Sequence, residues 1–134
     1  MENRFLLISM ICFLSSCRFE LDKDPEMIQF VFYNSDKTVF EEVKIIAFEL
    51  KNGMLTPVDS VYHYPLKSPS IPYYSNIGIG FLANDIDSLQ SGFFQAIAIK
   101  KDSTVFKIPI GEIEGKATKR SFSIEMTSSG IQAQ

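Results

Sequence analysis

Few side chains in this sequence could do chemistry. The only histidine, His63, sits in Tyr62-His63-Tyr64. A histidine base needs a nucleophile to serve, and no serine lies in a nucleophile-elbow sequence. Both cysteines, Cys12 and Cys17, fall within the first 17 residues. A lone histidine between aromatics on a strand is read as structural or solvent-facing. Asp85 and Asp87, with Asn84 beside them, carry the oxygen ligands that calcium prefers. They lack the further acids, central glycine and terminal glutamate of a calcium loop, so they read as a plain acidic loop. Glu112 and Glu114 could be imagined as the two carboxylates of a glycosidase, but at alternate positions in a loop between Gly111 and Gly115 they read as solvated charge. No catalytic set can be assembled from these groups, and the expectation is a protein that is not an enzyme and takes no cofactor and no metal. Tyr62, Tyr64, Tyr73 and Tyr74 are the better candidates: tyrosine has an apolar body and a polar tip, suited to binding a sugar or a protein.

The remaining chemistry is in the first segment. Arg4 precedes the apolar run Phe5 to Leu14, and Ser15 and Ser16 follow it. That is the anatomy of a removed export leader. The run is well short of the roughly 20 residues that cross a hydrocarbon core as a helix, and Arg18 and Glu20 end it. Cys17 comes directly after the small pair. Leu14-Ser15-Ser16-Cys17 resembles the lipobox of bacterial lipoproteins. The resemblance implies that residues 1–16 are removed and that Cys17 becomes the lipidated first residue, held on a membrane by several acyl chains. With Arg18 rather than aspartate next, it also implies outer-membrane delivery. Glu20, Asp22, Asp24 and Glu26 are loosely similar to the surface-export signals of Bacteroidota lipoproteins. Residues 17–26 then form a lipidated tether.

Composition narrows the choice of fold and partner. Without residues 1–16 the chain suffices for one domain. The net charge of -3 is mild and the basic residues are scattered, which argues against nucleic acid. With both cysteines at the start of the chain, a thiol nucleophile, a thiolate metal site and a disulfide within the mature chain are excluded. Cohesion must come from an apolar core, for which 12 phenylalanines are available.

The body, residues 27–127, reads as strands. Met27 to Tyr33 is β-branched and aromatic, and Asn34-Ser35-Asp36-Lys37 is turn material. Residues 38–51 carry both signals. Thr38 and Glu41 could form a helical capping box, yet Val43 to Leu50 is rich in β-formers and Asn52-Gly53 suits a tight hairpin; strands are favoured. Further strands are expected over 54–64, 74–82, 93–100, 104–110 and 120–127, with a proline-broken crossing at 65–72 and a loop or single helical turn at 84–92. Pro109 predicts an edge strand. Gly111 to Lys119 reads as a polar loop and 128–134 as a loose tail. About seven strands without a long helix predict an antiparallel immunoglobulin-like β-sandwich.

Three resemblances accompany this pattern of strands. Asn34 to Thr38 with Val43-Lys44-Ile45, Phe48, Leu50, Asn52 and Gly53 is similar to immunoglobulin-like modules of bacterial envelope proteins. Leu89, Gly92 and Phe94 resemble the corner before a central strand in fibronectin-type and transthyretin-like sandwiches, where a tyrosine usually stands in place of Phe94. Asp59-Ser60, Asp87-Ser88 and Asp102-Ser103 resemble Bacteroidota O-glycosylation acceptors, implying glycans on Ser60, Ser88 and Ser103. The expected function is a membrane-anchored, non-enzymatic envelope lipoprotein, a binding or accessory subunit with a protein partner. An inhibitor or immunity lipoprotein, or a carbohydrate-binding module, is the alternative.

Overall fold

A computed structural model describes residues 26–65 and 70–134. The leader, Cys17 and the tether through Pro25 lie outside the described residues. The chain forms an all-β sandwich of eight strands: β1 (Met27–Asn34), β2 (Phe40–Lys51), β3 (Met54–His63), β4 (Asn76–Leu82), β5 (Gly92–Lys100), β6 (Val105–Ile113), β7 (Ser121–Thr127) and β8 (Gly130–Ala133). Sheet A has the order β4-β1-β7-β8 and sheet B the order β3-β2-β5-β6. Every pairing is antiparallel except β1 with β7. Among the described residues no helix is long and apolar enough to cross a membrane.

Alternation builds the core. On β1, Ile28, Phe30, Phe32 and Asn34 are buried while Met27, Gln29 and Tyr33 are exposed, the period-two signature of a strand with one wet face. Sheet A contributes the bulky partners Phe30, Phe32, Phe81 and Phe122, whereas Ala47, Ala96 and Ala98 on sheet B are small and fully enclosed. Large residues on one sheet facing small ones on the other let two layers interlock without voids. Phe94 projects from β5 against three rings: Phe30 at 5.0 Å between centroids, Phe81 at 5.5 Å and Phe122 at 6.1 Å.

Of residues 38–51, Phe40–Lys51 form strand β2 and none is helical. Asn52 and Gly53, at φ 52° and 75°, close the β2–β3 hairpin in the left-handed conformation that an Asn-Gly turn supplies. Pro109 lies on β6, an edge of sheet B, where its missing N–H costs no ladder bond. A short 3-10 turn, Ala83–Asp85, occupies part of the expected 84–92 loop.

The eight strands agree with the expectation of about seven, and three details differ from the sequence reading. The supposed loose tail 128–134 contains β8, paired to β7 from Thr127↔Gly130 to Ile124↔Ala133. The glutamines of this tail hold it down: Gln132 and Gln134 donate to the Glu125 carboxylate at 2.7 and 3.0 Å. The sandwich is not wholly antiparallel, since β1 and β7 run together. The supposed polar loop begins later than Gly111, because β6 runs on to Ile113.

The molecule has two distinguishable ends. Met27 pairs with Leu82, and the 83–91 segment leads from there to Gly92, which pairs with both Glu49 and Ile113. The segment after Ile113 returns to Ser121 beside Gln29. The chain's entry, the tip of the β2–β3 hairpin and these two connections therefore share one end. At the other end lie the β1–β2 turn, residues 70–75, the β5–β6 turn and the β7–β8 turn.

Asp36 fastens this distal end. Its Oδ1 accepts the Thr38 N–H at 2.7 Å and its Oδ2 accepts the Ser128 N–H at 2.7 Å, tying the β1–β2 turn to the β7–β8 turn. Partial burial alone would raise its pKa, but the hydrogen bonds from Thr38 and Ser128 outweigh it and hold the carboxyl below the ordinary aspartate range. The stabilisation is thus present above the unfolded pKa of about 4 and lost as pH falls through the lower folded value. Asp36→Ala is expected to cost about 1–2 kcal/mol at neutral pH and to flatten the acid side of the stability profile, as urea titrations at several pH values will measure.

Candidate functional site

The sequence candidates separate between the two ends. Asp85 and Asp87 are exposed in the segment after β4, and Glu112 and Glu114 are exposed at the end of β6 and just beyond, all at the entry end. Glu112 is a strand residue, not the loop residue expected. His63 closes β3 opposite Val43, toward the distal end. The structure therefore does not bring the histidine to the acids. Among the described residues no group of three or more His, Cys, Asp or Glu is placed to hold a metal.

A different set is brought together. β3 and β4 are edge strands of different sheets on the same side of the sandwich. Between them runs a shallow groove of about 470 Å³ lined by Ser60, Val61, Tyr62, His63, Gly78, Ile79 and Gly80. Gly78 and Gly80 form one side of it. Neither is there to supply a left-handed turn; both lie in regular strand, on the outward face of β4. A Cβ at Gly78 would meet nothing within 4 Å, so its absence leaves backbone open to an approaching ligand. At Gly80 a Cβ would run into the terminal carbon of the Met27 side chain, showing that Met27 lies over that position.

All four tyrosines singled out in the sequence are exposed, Tyr62 at 67% and Tyr74 at 59% being the most open. Tyr62 lines the groove; Tyr64 follows the end of β3, and Tyr73 and Tyr74 precede the start of β4. The bridge between Phe40 and Ile71, and the Asn34 N–H bond to the Ser75 carbonyl at 3.0 Å, seat Tyr73 and Tyr74 at the distal end. The support beneath is polar. Asn34 is fully buried and donates through Nδ2 to the Thr38 carbonyl at 3.0 Å and the Pro72 carbonyl at 3.4 Å.

Tyr74 stands at φ 51°, a left-handed conformation costly for a bulky residue. Strain of this sort persists where surrounding structure dictates it, and here the Ser75 hydroxyl donates to the Pro72 carbonyl at 2.6 Å around it. Tyr74→Gly is therefore expected to leave the domain as stable or to gain about 0.5–1 kcal/mol, read as a rise in melting temperature.

The three serines with glycan-acceptor resemblance are all exposed. Ser88 and Ser103 lie in connections, Ser103 at φ 68° in the β5–β6 turn, whereas Ser60 lies within β3 and faces the groove.

A second surface went unnoticed in the sequence. The outer face of sheet B should be polar, yet Phe48 and Phe93 pair across β2 and β5 with stacked rings 5.5 Å apart. Ile97 on the same face is only 6% exposed although it lies outside the core cluster. Its cross-strand neighbours are Lys44 and Lys107, whose aliphatic stems can cover it while their charged heads reach water. The run Phe93-Phe94-Gln95-Ala96-Ile97-Ala98-Ile99, apolar at every position but Gln95, was the available signal.

No family model matches this chain, and no match is found among the curated proteins. Among solved structures, the NMR structure of a protein from Eubacterium rectale is similar to it over 81% of this chain and 87% of that one, with 10% identity and a TM-score of 0.39.

Proposed function

We propose that this protein is a non-enzymatic envelope lipoprotein, anchored through lipid on Cys17, that serves as a binding subunit for an extended segment of a protein partner. The anchor rests on the Leu14-Ser15-Ser16-Cys17 sequence. The observation that carries the binding role is the glycine-lined groove between two sheet edges, with Tyr62 in its lining, Tyr64 just after the end of β3, and Tyr73 and Tyr74 just before the start of β4. Edge strands carry unpaired N–H and C=O groups, and an extended peptide can add to them while side-chain pockets select its sequence. β3 is guarded near the hairpin by Pro57 and by the bulge at Ala47/Phe48, but from Asp59 to His63 it has neither lysine nor proline. β4 has no charged residue at all. Exposed tyrosines add contact area at low entropic cost, as interface aromatics do. Because the groove leads to the distal end, a domain tethered at its entry end presents it away from the membrane.

Gly78→Val separates binding from folding. The new side chain enters open space on a strand that favours it, so the melting temperature is expected to hold or rise. Photo-crosslinking from position 62 in native envelopes should capture a protein partner with the wild-type groove and lose it with Gly78→Val. Capture that survives the valine, or glycan binding that depends on the tyrosines without a protein partner, would overturn this reading.

A further inference from the structure

The tip of the β2–β3 hairpin is apolar where solvent exposure would favour polar residues. Leu50 is 46% exposed, Met54 70% and Leu55 53%, with Leu50 opposite Leu55 and Lys51 opposite Met54 across the turn. These side chains do not belong to the partner groove, which lies toward the other end of β3. β2 is paired to β5 as far as Glu49, and the Leu50 N–H still bonds to the Ser91 carbonyl at 2.9 Å, so the Lys51–Met54 pair and the Asn52-Gly53 turn are what project beyond the body of sheet B. That pair and the turn carry the tip roughly 6 Å beyond. That projection is comparable to the depth of roughly 5–10 Å to which amphipathic elements sink their apolar side chains at a bilayer boundary.

The position of the hairpin identifies its occupant. It shares the entry end with Met27, where the tether joins the fold. Glu26 is held at that end by its carbonyl, which accepts the Ala83 N–H at 2.9 Å, and by its carboxylate, paired with Arg120 at 2.8 Å. Residues 18–26 can span roughly 30 Å if fully extended and less as a flexible chain. A lipidated Cys17 would therefore hold this end, and no other, close to the bilayer.

We infer that the β2–β3 hairpin tip is a membrane-contact element: Leu50, Met54 and Leu55 enter the lipid interface and Lys51 meets headgroup phosphate, so that the domain stands upright with its groove outward. This rests on the reading of Cys17 as lipidated. The lipid chains keep this end near the bilayer, and a second contact at the same end fixes the domain's attitude there.

The mature chain has no cysteine other than Cys17, so a single engineered thiol can be labelled. The full-length lipoprotein is prepared as Met54→Cys and, separately, as Val105→Cys, an exposed position at the start of β6 near the distal end. Each carries an environment-sensitive fluorophore and is reconstituted into phosphatidylcholine vesicles containing acyl-chain spin-labelled lipid. At position 54 the emission should shift to shorter wavelength and be quenched by the spin label, while at position 105 neither should change. Protein that floats with vesicles but shows no quenching at 54, or equal quenching at both sites, overturns the hairpin contact and leaves the anchor standing. Protein that incorporates no labelled palmitate and does not float overturns both, and flotation distinguishes the two failures.

Discussion

Phe94→Ala is expected to remove about 3–5 kcal/mol of stability, seen as a fall in the urea midpoint with the slope of the transition unchanged. A domain of this size is stable by about 5–15 kcal/mol, so the variant would lose a large share of it. Phe94 is fully buried where both sheets meet, with Phe30 and Phe81 presented nearly edge-on and Phe122 tilted beside it. Removing this ring leaves three others without a common neighbour, and Ala96 and Ala98 on the same strand have nothing to lend. Phe94→Tyr tests the departure from the corner pattern. In this apolar setting a hydroxyl without a partner should cost about 1–3 kcal/mol; a neutral result would mean that an acceptor is within reach.

Much of the sandwich was legible because strand composition and turn chemistry are local. Met27 to Tyr33 is β-branched and aromatic, Asn52-Gly53 closes a hairpin whatever surrounds it, and Pro109 announces an edge by lacking a donor. β8 escaped because a four-residue strand with one inward side chain, Ile131, has almost no pattern of its own. What makes it a strand is the ladder offered by β7 and the hold of Glu125 on two glutamines. The parallel pairing of β1 with β7 is likewise a long-range outcome that no short window of residues contains.

The site was legible as residue types but not as a place. Tyr62, Tyr64, Tyr73 and Tyr74 stood out by composition, and all are exposed. That Tyr62 lines a groove, with the other three near the ends of β3 and β4, depends on those strands being edges of different sheets on the same side, which is topology. Gly78 and Gly80, glycines inside a strand, become the bare side of a groove only beside β3. The hairpin tip was visible as a turn, yet its meaning depends on sharing an end with the tether. His63 lines the groove, away from the entry end where Asp85, Asp87, Glu112 and Glu114 lie.

Gly111→Ala is expected to cost about 3 kcal/mol through two separable effects. Between Phe93/Phe94 and Glu112/Ile110 the β5–β6 register shifts by one residue, and Gly111 is the extra residue of that bulge. Its φ of +67° costs an alanine about 1–2 kcal/mol. Its missing Cβ also makes room for Phe122, since an added carbon would run into the ring. Phe122 cannot easily retreat, because it stacks on Phe30 at 5.0 Å, and overpacking of this sort adds about 1–3 kcal/mol. Gly115→Ala isolates the first effect: its φ is +70° but nothing lies within 4 Å of the new carbon, so it should cost only about 1 kcal/mol. Phe122→Leu in the Gly111→Ala background should recover part of the packing cost, and a double-mutant cycle by urea denaturation measures that coupling. Additive effects would mean that the bulge and the core ring are independent. Coupling would mean that the bulge, which turns the end of β6 toward the Ile113–Ala117 bridge at the entry end, is held in place by the phenylalanine core beneath it.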